Sequence, residues 1–111
     1  MEEVKFGDIW YVDNAQATGH AQQGFRPWII VSNDINNTHS PMVNAVPLTT
    51  SLYKKPLPTH CEILSGPQKS IALCEQVKTL NKSQLISKIG HCVNWEIRQI
   101  KICLMIQFNL L

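Results

Sequence analysis

Arg26 stands immediately before Pro27 and an apolar run, Trp28-Ile29-Ile30-Val31. The residue before a proline is pushed to an extended backbone, and a proline is tolerated as the first residue of a strand. Arg26 is therefore expected at the mouth of a sheet, held rigidly. A guanidinium so placed presents a planar fork of donors that matches a phosphate or carboxylate. The alternative is an ordinary surface arginine beside a strand, and the pattern alone leaves both open.

The remaining groups narrow the chemistry. Cys61, Cys74, Cys92 and Cys103 are widely spaced, without a Cys-x-x-C pair or histidines placed to complete a zinc site, and read as small buried hydrophobes. No metal and no cofactor is expected. His20, His39, His60 and His91 are as dispersed, with no visible pair for acid/base work. The net charge of +2 permits a polyanionic partner without demanding one.

The elements that must position Arg26 are short strands. Asp8 to Val12 reads as the first, followed by a loop from Asp13 to Phe25 with Gly19 and Gly24. Trp28 to Ser32 reads as the second, apolar enough to be buried on both faces, and Asn33 to Pro41 as a polar loop. Val43 to Thr49 is the third. If Val46 and Leu48 point into the core, alternation puts Thr49 on the opposite face, free to present its hydroxyl, and Thr50 on the other.

Ser51 to Thr59 reads as a basic loop: Lys54 and Lys55 follow Tyr53, and Pro56 and Pro58 keep it from being a central strand. His60 to Leu64 and Ser70 to Lys78 continue the strands around Ser65-Gly66-Pro67. One helical turn is expected at Lys82 to Leu85. Asn94 is a candidate N-cap for a helix from Trp95 to Phe108, whose Ile97, Ile100, Leu104 and Phe108 recur at helical spacing. Trp95, Met105, Leu110 and Leu111 are core or interface residues. At 111 residues the chain suits one domain, 1–111, mainly β, a small barrel-like sheet with a C-terminal helix. The acidic N-terminus and the lack of an apolar run of about 20 residues predict a soluble, cytoplasmic protein without membrane contact.

Gly7-Asp8-Ile9-Trp10, the run Gly19-x-x-Gln22-x-Gly24-x-Arg26-Pro27, Ser32-Asn33-Asp34, Pro47-Leu48-Thr49 and Glu75-Gln76-Val77-Lys78-Thr79 occur in order. Together they resemble the MazF/PemK family of bacterial toxins. The resemblance implies an SH3-like barrel of the CcdB/MazF type, a symmetric homodimer, metal-independent cleavage of single-stranded RNA, and neutralisation by a cognate antitoxin. It also implies catalytic roles for Arg26 and Thr49.

That assignment is chemically coherent. RNA can be cut by in-line attack of a 2′-hydroxyl on its own phosphorus, leaving a 2′,3′-cyclic phosphate. The enzyme must hold the phosphate, stabilise its charge and move two protons. Arg26 suits the phosphate clamp, with proton donation second, and Thr49 suits a hydrogen bond to a non-bridging oxygen. Gln22, Lys54 and Gln76 are the expected substrate contacts; a solvated strand face is the other reading of Gln76.

One position departs from the family: Gly19-His20-Ala21-Gln22 has alanine where a glutamate is common. The protein is then slow, uses His20 as base, or is a weakened variant; His20 is otherwise an exposed loop imidazole. Two other function classes stay open, a CcdB-like gyrase-binding toxin and a catalytically weakened RNA- or antitoxin-binding module.

Overall fold

A computed structural model describes residues 2–13, 25–51 and 56–111. The strands are β1 (Asp8–Asp13), β2 (Phe25–Ile30), β3 (Met42–Thr49), β4 (His60–Ile63), β5 (Ser70–Leu73), β6 (Lys78–Asn81) and β7 (Leu85–His91); the helices are α1 (Asp34–His39) and α2 (Asn94–Gln107). Every pairing is antiparallel, in the order β4-β5-β3-β2-β1-β7, with β6 beside the first half of β3. This is the expected mainly β, SH3-like architecture, although the curled sheet is not closed: β4 and β7 remain its ends.

The central strands are apolar on both sides because each side meets a core. Ile9, Ile29, Val46 and Leu48 pack with Ile100 and Cys103 of α2. On the opposite face Trp10, Val12, Trp28, Ile30, Val43 and Ala45 meet Leu80 and Leu85, buried by the sheet's own curl. Two register shifts in the β1–β7 ladder, at Ile9/Trp10 and Tyr11/Val12, supply the extra twist such curling needs. Gly90 lies in that ladder, where a Cβ would come within 2.8 Å of the Ser65 carbonyl oxygen.

Several boundaries differ from expectation, each for a local reason. β2 begins at Phe25, so Arg26 and Pro27 are inside the strand, and it ends at Ile30 rather than Ser32. The expected loop after it contains α1: the Asn33 side chain accepts the Asn36 N–H at 2.8 Å, and the Ser32 carbonyl accepts from the Asn37 side chain. Capping, not apolar periodicity, builds this turn.

The expected Ser70–Lys78 strand is broken. β3 steps three residues from Leu48 to Ala45 while its partner runs six, from Ala72 to Lys78. A 3₁₀ turn at Cys74–Gln76 absorbs the excess and lets the chain follow β3 as two strands. The turn at Lys82–Gln84 is present, but β7 after it was not anticipated, because mostly exposed or half-buried residues carry no apolar alternation.

In α2, Asn94 is the first helical residue rather than the cap. The cap is Val93, whose N–H donates to Glu96 Oε1 at 2.9 Å. Ile100 is buried and Ile97 and Leu104 pack on the core, whereas Phe108 faces outward, 54% exposed.

Candidate active site

The site is opened by two prolines. Pro27 and Pro47 have no N–H to give, and the β2–β3 ladder stops at Trp28 opposite Pro47. Beyond that point β2 is held by β1 alone, with Arg26 opposite Val12 and Phe25 opposite Asp13. A cavity of about 130 Å³ lies in the resulting mouth; Tyr11, Arg26, Pro27, Leu48, Thr50 and Ser70 line it together with the Pro67–Gln68 segment. Arg26 is exposed within β2. On the measure used for water-sized cavities, where about 10–15 Å³ holds one water, this space admits a group much larger than water.

The two threonines at the end of β3 divide the geometry. The β2–β3 ladder ends at Trp28–Pro47; beyond it Thr49 pairs with Ile71 of β5, and Thr50, not Thr49, lines the cavity with Arg26. Thr49 is not as free as alternation suggested: it is 6% exposed, and its Oγ1 accepts the Ser51 N–H at 3.2 Å. That bond uses a lone pair and leaves the hydroxyl proton available for donation. Thr50 is exposed and lines the cavity.

The other expected contacts are spread more widely. Gln22 and Lys54 lie outside the described residues, as do His20, Ala21, Tyr53 and Lys55. Gln76 ends the 3₁₀ turn, exposed and away from the cavity lining. Its neighbour Glu75 is anchored by the Thr59 hydroxyl and by His60 Nε2, both at 3.0 Å. Burial raises the Glu75 pKa, but the bonds from His60, its own backbone and Thr59 outweigh this and leave it below the ordinary carboxylate range. Lys78 and Thr79 line a separate groove of about 390 Å³ with Asn44 and Phe108. Sequence reasoning missed Tyr11, Gln68 and Ser70 as neighbours of Arg26, because only the pairing of β1, β3 and β5 brings them there.

All four cysteines are free and buried, as expected. Cys61, Cys74 and Cys103 nevertheless converge, with their sulfurs all within 4.8 Å of one another. The Cys61 thiol is lowered by S–H donation from Cys74 against the opposing effect of burial. Cys74 is raised by its bond to Cys61 and by burial, and burial pushes Cys103 and Cys92 each up to about 12. These are core thiols, and none of them lines the Arg26 cavity.

The fold is a small, open antiparallel β-barrel with one arginine and several hydroxyl groups at its mouth. The model of the PemK-like, MazF-like toxins of type II toxin-antitoxin systems matches residues 5–108, and the chain belongs to that family. Endoribonuclease EndoA of Bacillus subtilis strain 168 is 37% identical over 92 residues, covering 79% of each chain. Endoribonuclease MazF of Staphylococcus saprophyticus is 32% identical over 111 residues, covering 96% of this chain and 92% of that one. Among solved structures, a mycobacterial endoribonuclease in complex with its cognate antitoxin superimposes with a TM-score of 0.81 at 27% identity, covering 97% of both chains. MazF from Deinococcus radiodurans shares the fold, with a TM-score of 0.84 over 98% of this chain and 99% of that one at 16% identity.

Proposed function

We propose that this protein is the toxin of a type II toxin-antitoxin pair, a cytoplasmic endoribonuclease that cuts single-stranded RNA without a metal and so inhibits translation and growth. The observation that carries the reading is Arg26 in an open mouth beside the hydroxyl-bearing end of β3, in a chain belonging to the MazF-like toxins. The relatives named endoribonucleases support it. No helix of the described residues is long and apolar enough to cross a membrane.

The substrate's own 2′-hydroxyl is the nucleophile. Its oxygen bonds to phosphorus as the P–O5′ bond breaks, so the products are a 2′,3′-cyclic phosphate and a 5′-hydroxyl end. The proton from the 2′ oxygen passes to solvent water, one proton reaches the 5′ oxygen from the protein, and solvent returns that proton to the donor. Arg26 clamps the phosphate and offsets the negative charge that grows on its oxygens, where a fixed donor acts with most effect. Thr49 donates its remaining hydroxyl proton to a non-bridging oxygen. Arg26 is also the proton donor to the leaving oxygen. Gln22, Lys54 and Gln76 are the expected contacts to the RNA, and polar and basic groups of this kind suit loose single strands rather than a duplex.

The single unit, residues 1–111, works as a homodimer. An exposed stripe on α2, Trp95, Ile102 and Ile106, continues into Phe108, Leu110 and Leu111 and supplies apolar surface for the second copy. A cognate antitoxin silences the toxin by occupying the RNA groove.

The discriminating experiment offers purified protein a long single-stranded RNA, the same sequence as a duplex, and supercoiled DNA with gyrase. Cuts confined to the single strand support the reading. Intact RNA together with a gyrase blocked on DNA would replace it with the gyrase-poison class, and RNA bound without cutting would replace it with the weakened binding module.

A further inference from the structure

The cavity beside Arg26 contains a hydroxyl that the fold itself does not use. Ser70 is 3% exposed, and its Oγ has no hydrogen-bond partner among the described residues. It opens β5, opposite Ile63 of β4. One step beyond the Thr49–Ile71 pair, the register sets Ser70 across from Thr50, and both line the cavity with Arg26. A buried hydroxyl left without a partner destabilises a protein, and native folds rarely keep one without a reason. An alanine in its place would spare the free protein that cost.

We propose that Ser70 is a further substrate contact, donating its Oγ–H to a non-bridging oxygen of the phosphate that Arg26 holds. The proposal rests on the nuclease reading and deepens it. The serine side chain has one heavy-atom torsion with three staggered positions, so its hydroxyl needs only a rotamer change to face an occupant of the cavity that its own residue lines. The unmet bond in the free protein is thereby made when substrate binds, and it strengthens as charge gathers on the phosphate oxygens. Arg26 and Ser70 would then approach the phosphate from β2 and β5, with Thr50 at the end of β3 lining the same cavity.

The test compares wild type with Ser70→Ala by melting temperature and by single-turnover cleavage in excess EDTA. The substrates are an RNA with its natural phosphate and the same RNA with sulfur replacing each non-bridging oxygen in turn. The melting temperature of Ser70→Ala is expected to be unchanged or raised. Cleavage should fall at least 10-fold at the same site. One sulfur diastereomer should slow wild type, and that penalty should shrink in Ser70→Ala, a response that a merely structural serine would not give. Equal cutting by both proteins, or a melting temperature lowered by several degrees, would overturn the proposal and leave the nuclease reading standing. A wild type that cuts no RNA would overturn both.

Discussion

At the scale of single residues, Thr49 and Thr50 differ in setting. Thr49 is buried, accepts the Ser51 N–H and keeps its proton; Thr50 is exposed and lines the cavity with Arg26. Thr49→Val, close in shape, is expected to lower kcat 10-fold to 100-fold with little change in KM, because the lost bond matters most in the transition state. Thr50→Val should change kcat less than 3-fold. Single-turnover kinetics on one RNA check both, and a reversal of the two effects would move the catalytic role to Thr50. The extended setting of Arg26 beside Pro27 was legible from the local sequence, whereas its role came only from the family resemblance, and alternation left Thr49 freer than its burial allows. Tyr11, Gln68 and Ser70 were illegible, since their place beside Arg26 depends on pairings across tens of residues.

At the scale of elements, α2 is fastened to the sheet by one carboxylate. Glu96 is fully buried and accepts the N–H groups of Leu64, Ser65 and Val93 and the hydroxyl of Ser65, joining the helix start to the β4–β5 connection. Burial raises its pKa, but the bonds from Ser65, Leu64 and Val93 outweigh that and hold it below the ordinary value of 4.5. The unfolded chain therefore takes up this proton at a higher pH than the folded one. Stability from Glu96 is complete above about pH 4.5 and is lost as pH falls through the depressed folded value. Glu96→Gln is expected to cost about 2 kcal/mol near neutrality, roughly 10 °C in melting temperature, and to flatten the acid limb of the stability curve. Denaturant titrations from pH 3 to 7 measure it; an unaltered acid limb would remove Glu96 as its source. The helix itself was legible from its apolar spacing. Its cap was not, because Asn94 looks like a cap in sequence while Glu96 reaches back to Val93. The split of β5 from β6 was equally hidden, since the need for a 3₁₀ turn arises from the register against β3.

At the scale of the whole molecule, the apolar residues left outside on α2 require a partner more than the barrel does. Ile102 is 40% exposed and Ile106 36%, on one stripe with Trp95. Replacing Ile106 with aspartate is expected to convert a dimer into a 12.6 kDa monomer in sedimentation velocity, with an unchanged circular dichroism spectrum. An unaltered dimer would place the interface elsewhere. An acidic antitoxin segment held beside Arg26 should bind more weakly as salt is raised. Metal-free cleavage at Arg26 is checked most directly by incubating wild type and Arg26→Ala with a long single-stranded RNA in excess EDTA and mapping the ends. Discrete cuts bearing 2′,3′-cyclic phosphates are expected, slowed by about 10²–10³-fold in Arg26→Ala. Cutting that stops in EDTA, leaves other ends, or survives undiminished in Arg26→Ala would contradict that chemistry.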